Sequence, residues 1–311
     1  MEIRKKNLIL SATTLGVFIL AFLANDPFLL FENSYEKSSL LIDSKPDRVK
    51  KITVSEAGSV KIFTRTSDGW TIERSTQSGS LRADASKIDT QLKNLFDARR
   101  YQEVTASKEK FPEYEVRDSD LKLEMVGDSG SPIAQVILGK NASTGNNSFA
   151  RLTNEEKVYS VKGLLRGDWN QDFNAYRDRA VLKLVKDNIK SIQASGSKVY
   201  SIKLDEKGKW IVEPSRAADA ARINALLSEF GDLTGTRFIE VKPALPSFGK
   251  IIVGLGSNIN KEIEFWGPTK EQEFIVRSSD NPAFLVLSKT KVDALFVRIE
   301  DLVEKNPAPN K

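Results

Sequence analysis

The sequence contains no cysteine and no histidine among its 311 residues. Without cysteine the chain can form no disulfide, catalytic thiol, thiolate metal site or iron–sulfur cluster. Without histidine it has no Ser-His-Asp triad, no imidazole general base and no imidazole metal ligand. Because these groups serve most familiar active sites, we expect a protein that is not an enzyme and that has no catalytic residues, no cofactor and no metal site.

A large charge of one sign is also missing. The chain has 47 Lys and Arg residues against 42 Asp and Glu residues, which gives a net charge of +5. Nucleic-acid binding needs basic residues clustered along one face, so this small excess predicts no nucleic-acid partner. The hydrophobic fraction of 40% is enough to build buried cores. The length is typical of about two domains.

The N-terminus has the pattern of a membrane anchor. A basic segment at residues 1–7 precedes an uncharged apolar run of 17 residues at 8–24. A helix of that length spans about 25 Å, near the lower limit for crossing a bilayer core. The basic flank predicts that the N-terminus is cytoplasmic and that the rest of the chain is periplasmic or extracytoplasmic.

We expect the apolar run to be an uncleaved, single-pass signal anchor in the cytoplasmic (inner) membrane. A cleaved signal peptide is the alternative, but cleavage after Ala24 would place Phe22 where a small residue is needed. A lipoprotein anchor would require a cysteine, which the chain lacks.

The rest of the chain contains one pattern written twice, at residues 47–167 and 187–303. Four ordered matches recur at offsets between 135 and 140 residues, which small loop insertions explain. The matched pairs are Asp47-x-Val-x-x-Ile52 with Asp187-x-Ile-x-x-Ile192, Trp70 with Trp210, Ala83-Asp84-Ala85 with Ala218-Asp219-Ala220, and Arg100–Val104 with Arg237–Val241.

Each copy predicts the same order of elements. Alternating apolar and polar residues indicate strands at the start and in the second half of each copy. Asp84 and Asp219 are predicted N-caps of amphipathic helices at about 85–97 and 220–230. A short helix is predicted to close each copy, near Lys162–Leu165 and Lys289–Leu302. The expected fold class is α+β: an N-terminal transmembrane helix followed by two tandem modules, each a mostly antiparallel sheet with a packed helix. Residues 25–46 are a predicted linker, residues 168–186 a partly helical connector, and residues 304–311 a disordered tail.

These motifs, together with Tyr176-Arg177-Asp178-Arg179-Ala-Val-Leu182 ahead of the second copy, resemble domain-of-unknown-function family 4340. The resemblance covers roughly residues 40–300. It implies a membrane-anchored envelope protein of the kind found beside gliding-motility-type ABC transporter subunits, and it carries over no catalytic residues. The sequence departs from the family near Phe111–Asp120, where Tyr114-Glu-Val116 replaces an expected Tyr-Gly-Leu segment.

Two patterns in the sequence suggest specific chemistry, and each also has a simpler interpretation. Gly254-Leu-Gly256 begins like a dinucleotide-binding loop, but a strand rather than a helix is predicted to follow, which favours a hairpin turn. Asp118 with Asp120, and Glu262 with Glu264, have the spacing that puts two carboxylates on one face of a strand. Solvated surface carboxylates are the more common result of that spacing.

Aromatic and charged residues near the joint between the copies are the candidate partner contacts. Trp70 and Trp210 occupy equivalent positions in both copies and are better interpreted as core anchors than as ligand platforms. The candidate partner-contact residues are Trp169, Tyr176, Arg177, Asp178 and Arg179.

We therefore expect a non-enzymatic, membrane-anchored auxiliary or scaffold protein whose partner is a membrane protein such as a transporter permease. The first alternative is an extracytoplasmic module that binds polysaccharide or peptide in a cleft between the two copies. The second alternative is a carboxylate-dependent hydrolase, which would require an acidic pair converging in a pocket.

Overall fold

A computed structural model of the chain describes residues 39–304, apart from 76–78, 144–145, 164 and 257–258. The predicted anchor, most of the predicted linker and nearly all of the predicted tail therefore lie outside the described residues. The chain divides into two compact units, with the boundary between Tyr176 and Arg177. This boundary falls inside the predicted connector at 168–186, so the connector is shared between the two units.

The first unit is built on a nine-stranded antiparallel sheet with the order β4-β3-β2-β1-β6-β7-β8-β9-β5. Its described helices are α1 (Ala85–Asp97), the short α2 (Phe111–Tyr114) and α3 (Leu165–Trp169). The strands are β1 Lys51–Glu56, β2 Ser59–Thr66, β3 Gly69–Arg74, β4 Leu81–Ala83, β5 Arg100–Thr105, β6 Lys122–Val126, β7 Pro132–Asn141, β8 Asn147–Leu152 and β9 Val158–Lys162.

The second unit contains another nine-stranded antiparallel sheet, with the order β14-β13-β12-β11-β17-β18-β19-β20-β16. Its helices are α4 (Ala220–Glu229) and α5 (Lys289–Leu295), and a two-stranded sheet pairs β10 with β15. The strands are β10 Ala180–Leu182, β11 Ile189–Gly196, β12 Tyr200–Leu204, β13 Trp210–Val212, β14 Arg216–Ala217, β15 Leu233–Thr234, β16 Phe238–Ile239, β17 Ser247–Leu255, β18 Ile259–Trp266, β19 Glu273–Ser278 and β20 Phe284–Ser288.

The two large sheets have the same topology. In each, the first four strands form a meander and four later strands extend the sheet from the first strand. A strand that comes after the long helix, β5 in the first unit and β16 in the second, closes the far edge. The strand order therefore agrees with the duplication read from the sequence, and the α+β class with antiparallel sheets is confirmed.

Both long helices begin where the sequence predicts. The carboxylate of Asp84 accepts a hydrogen bond from the backbone N–H of Lys87 at 3.1 Å, and that of Asp219 accepts one from Arg222 at 3.1 Å. These contacts satisfy donors that the first helical turn would otherwise leave unpaired.

Each unit is closed by its own last segment, which returns to the start of its helix. The backbone N–H of Asp84 donates to the carbonyl of Tyr176 at 2.8 Å, and the N–H of Asp219 donates to that of Leu302 at 2.9 Å. Asp84 and Asp219 are therefore equivalent in two ways. Each caps a helix with its side chain, and each binds the closing segment of its unit with its backbone N–H.

The matched tryptophans differ in burial. Trp70 is 2% exposed, and its indole N–H donates to the Asp89 carboxylate at 2.9 Å, while the Arg65 guanidinium lies 4.4 Å above its ring. Trp210 is partly buried against the core of the second unit. The core-anchor interpretation is therefore confirmed for Trp70, and Trp210 anchors only the margin of its core.

Three local expectations need correction. The connector forms a 3-10 turn at Phe173–Ala175 and a short strand at Ala180–Leu182, because it packs onto existing cores instead of forming a helix of its own. The closing helix of the first unit is Leu165–Trp169, later than predicted. The closing helix of the second unit ends at Leu295, and a separate 3-10 turn follows at Ile299–Leu302.

The segment that departs from the family pattern has a definite conformation. Glu115 lies in the left-handed region with φ of 56°, at the place where the resemblance leads one to expect glycine. Its side chain forms an ion pair with Arg166 at 3.0 Å. Glu115 thus adopts a backbone conformation that favours glycine, and it also makes an ion pair that glycine could not make.

Across the part of the chain that the structure describes, every helix is too short or too polar to cross a membrane. The predicted transmembrane helix at 8–24 is not among those residues.

Candidate functional site

The candidate partner-contact residues at the joint have very different exposures. Trp169 and Tyr176 are 0% exposed and belong to the core of the first unit, where both rings pack edge-on against Phe63. The Tyr176 hydroxyl donates to the carbonyl of Asp168 at 2.7 Å, and burial raises the pKa of this phenol well above its usual value. A partner cannot reach either ring while the unit is folded.

Arg177, Asp178 and Arg179 belong to the second unit. The Arg177 guanidinium is buried, lies 3.6 Å above the ring of Phe238 and forms an ion pair with Glu240 at 2.8 Å. Asp178 accepts a hydrogen bond from the N–H of Ala180 at 2.9 Å, which turns the chain into β10. Of the five candidates, Arg179 is the exposed one, and it donates to the carbonyl of Thr236.

The backbone on both sides of Arg179 is held by two buried polar side chains. The Asn281 amide donates to the carbonyls of Asp178 at 3.0 Å and Ala180 at 2.9 Å, and Ser278 donates to the carbonyl of Val181. This fixes the strand at the start of the second unit. The Tyr-Arg-Asp-Arg motif therefore has a structural role in these contacts, and Arg179 is its exposed residue.

The acidic pairs considered for a hydrolase are engaged in ion pairs. Asp118 pairs with Arg151 at 2.6 Å and Asp120 with Arg117 at 2.9 Å. Burial alone would raise the pKa of Asp120, but hydrogen bonds and charge from Arg117 hold it below the usual value. A carboxyl group with a lowered pKa is a poor general acid near neutral pH.

The second acidic pair lines a small cavity of about 270 Å³ in the second unit. Within it, Glu264 pairs with Arg277 at 2.6 Å, and Glu262 pairs with Lys250 at 2.7 Å. The two carboxylates thus share a face, as the spacing predicts, and each has a cation beside it. In the described ranges no group of three or more acidic side chains is arranged to hold a metal ion.

A larger cavity lies within the first unit, and no sequence pattern indicates it. Its volume is about 600 Å³, within the range of small-molecule sites. The turn between β1 and β2 forms one wall, and the segment 170–173 forms another. Its charged lining residues are Glu56, Lys61, Arg74 and Asp172.

The two cations of this cavity come from neighbouring strands. Lys61 on β2 lies directly opposite Arg74 on β3 in the sheet register, and Val54 on β1 completes the row. Lys61 is two residues from the buried Phe63, and Arg74 is two residues from the buried Ile72. Because side chains alternate along a strand, both cations extend the core face of the sheet.

The wall opposite the cations is held in place by Gln171. Its carbonyl accepts from the Lys61 ammonium at 2.7 Å, and its side-chain oxygen accepts from Lys87 at 2.6 Å. Its backbone N–H donates to the Tyr176 hydroxyl at 3.2 Å, and its amide nitrogen to the carbonyl of Gly167 at 2.9 Å. Four hydrogen bonds fix this residue, so the wall is preorganised.

Arg74 is positioned by stacking. Its guanidinium lies 4.3 Å from the centre of the Phe173 ring, and Phe173 itself is buried. Burial lowers the pKa of Lys61, the nearby charges of Glu56 and Asp172 act in the opposite direction, and Arg74 adds to the lowering. The cavity therefore presents two positive charges from neighbouring strands, opposite a wall that Gln171 holds in place.

Comparison with known families gives one match. The family described as "Domain of unknown function (DUF4340)" matches residues 70–247, which is more than half of the chain. No curated protein and no solved structure matches the chain.

Proposed function

Because this chain belongs to the DUF4340 family, which is described as a domain of unknown function, we propose its role from its own architecture: a non-enzymatic, membrane-anchored envelope protein that serves as an auxiliary or scaffold component of an ABC-transporter-linked complex. The duplicated module behind an apolar N-terminal run is the observation that carries this proposal. The engagement of both candidate acidic pairs in ion pairs supports a role without acid–base catalysis.

The proposed location has a direct test in the full chain. A fluorescent reporter that folds only in the cytoplasm, fused after Lys311, should be dark, and a reporter active only outside the cytoplasm should be active. Replacing Arg4, Lys5 and Lys6 with glutamate is the matched control, because it removes the basic flank that sets the orientation. A bright cytoplasmic reporter on the unaltered chain would refute the proposed topology.

The proposed partner can be trapped from the exposed part of the joint. A photo-crosslinking residue in place of Arg179 should join the full chain to an integral membrane protein in intact cells. The same residue in place of Lys207, which lies on an exposed turn, should give a weaker product or none. Recovery of an uncrosslinked monomer from both positions, and again from mild detergent, would count against a scaffold role.

A second candidate function has one observation in its favour. The cavity of about 600 Å³ lies inside the first unit and is large enough for a small solute. A ligand-binding function would therefore use a site within one module, whereas the sequence had led us to consider a cleft between the two.

A further inference from the structure

The two cations in the cavity of the first unit are placed at a cost to stability. Like charges directly opposite on neighbouring strands destabilise a sheet. Among the described residues, no carboxylate lies at ion-pair distance from Lys61 or Arg74. By contrast, the neighbouring Arg166 pairs with both Glu56 and Glu115. Glu56 is thus paired directly with Arg166, and both Glu56 and Asp172 act on Lys61 only from beyond ion-pair distance.

The duplicated module supplies an internal comparison. Phe63 pairs with Ile52 in the first unit, as Ile202 pairs with Ile192 in the second. The residue two positions before each is Lys61 in the first unit and Tyr200 in the second. Tyr200 is 1% exposed, and its hydroxyl donates to the carbonyl of Leu295 at 2.7 Å.

Equivalent positions of the two units therefore differ. The buried ring of Tyr200 fills the position in the second unit, whereas in the first unit Lys61 lies beside an open cavity. The tyrosine shows that this position can be filled by core packing. The lysine, its opposing arginine and the cavity are specific to the first unit and are not needed to pack the fold.

We propose that this cavity binds a small anionic solute through a carboxylate or phosphate group held between Lys61 and Arg74. The Lys61 ammonium has three donors, and the carbonyl of Gln171 accepts from it at 2.7 Å. Arg74 presents its guanidinium as a planar donor already oriented by the Phe173 ring. An anion would relieve the repulsion between the two cations and gain charge-assisted hydrogen bonds from both.

The remaining charged group at the cavity limits what the rest of the ligand can be. Asp172 is exposed at the mouth and lines the same space. It would repel a second negative charge and accept a hydrogen bond from a hydroxyl or ammonium group. The volume of about 600 Å³ suits a solute of about monosaccharide to disaccharide size. The inference develops the second candidate function and holds whether or not the chain also has a membrane partner.

The test uses three sugars that differ in charge. The full chain in a nonionic detergent is reductively methylated with ¹³C-formaldehyde, which labels lysine amines for NMR, and the Lys61 signal is assigned by its loss in Lys61→Met. We expect glucuronate or glucose 1-phosphate to shift this signal and to raise the pKa of Lys61, whereas glucose leaves both unchanged. The two anions distinguish carboxylate from phosphate recognition.

Three variants complete the experiment. Lys61→Met and Arg74→Met should each weaken binding of the recognised anion at least about tenfold, since each removes a charged hydrogen-bond donor. Lys51→Met, which removes an exposed lysine from the adjacent strand, should leave binding unchanged. Lys61→Met should unfold at the same temperature as the unaltered protein or a higher one, which shows that lost binding is not lost folding. Titrations in which neither anion moves the Lys61 signal, or in which glucose moves it equally, would overturn the proposal.

Discussion

Replacing Trp169 with alanine should lower the free energy of unfolding of the first unit by about 3–5 kcal/mol, the usual cost of removing a buried tryptophan from a core. The ring is 0% exposed and packs edge-on against Phe63, with ring centres 6.1 Å apart. Phe63 packs in the same way against Tyr176, with centres 5.1 Å apart. Truncation at Trp169 would leave a cavity beside both rings.

Trp169→Phe separates the packing of the ring from its polar atom. The buried indole nitrogen has no hydrogen-bond partner within the described part of the chain, so phenylalanine keeps much of the packing and removes an unsatisfied donor. We expect this variant to lose less than half as much stability as Trp169→Ala. Hydrogen exchange by mass spectrometry, read separately over the two units, measures both changes.

The second unit is an internal control for that measurement. Its exchange should be unaffected by either variant at Trp169, because all of the ring contacts named above lie in the first unit. A loss below about 1 kcal/mol for Trp169→Ala would show that the ring is not a core residue. The interpretation of Trp169 as a partner contact would then regain support.

Replacing Asn281 with aspartate should destabilise the second unit by about 3 kcal/mol or more at pH 7, the scale of an uncompensated buried charge. Asn281 is 2% exposed, and its amide donates to two backbone carbonyls at 2.9 and 3.0 Å. A carboxylate cannot donate to either, and it would face two carbonyl oxygens at close range.

The same substitution predicts a pH dependence with a definite sign. Burial and the facing carbonyls should raise the pKa of the new carboxyl group in the folded protein above its unfolded value of about 3.9. The folded state then binds the proton more tightly, so the variant should be less destabilised at pH 4 and should lose stability as the pH rises from there. Urea unfolding at the two pH values measures the difference.

Asn224→Asp is the matched control, since Asn224 is exposed on the helix Ala220–Glu229. It makes the same chemical change where water can solvate the charge, and we expect an effect within about 0.5 kcal/mol. Equal effects at Asn281 and Asn224 would contradict the structural role that we assign to Asn281.

Local signals in the sequence predicted the framework well. Asp84 and Asp219 show their helix-capping role through residue type and the apolar spacing that follows, and both were located correctly. The repeat was visible because a duplicated fold preserves the residues that pack and cap. Such features depend on neighbours within a few positions, which a single sequence displays directly.

The cavity of the first unit was missed for a physical reason. Lys61 is followed by Ile62 and Phe63, so both faces of that strand look apolar and the alternation does not show which face is buried. The pairing of Lys61 with Arg74, and the contact with Gln171 across 110 positions, depend on tertiary structure. Neither of these contacts can be predicted from a local sequence pattern.

The burial of Trp169 and Tyr176 was not predicted, for the opposite reason. A tryptophan, a tyrosine and three charged residues near a predicted boundary resemble an exposed interface. In the structure Trp169 and Tyr176 complete one core, while the backbone two residues later is tied into another. Because Tyr176 and Asp178 are only two residues apart, no stretch of distinct composition separates the two cores.

The bond from each closing segment to its helix cap has a consequence for how such chains can grow or shrink. Tyr176 secures the first copy and Leu302 the second, each by donation from the N–H of an aspartate in the same copy. A gene encoding one copy more or one copy fewer would still give every copy its own closing bond. The chain can thus gain or lose whole modules without requiring a new core.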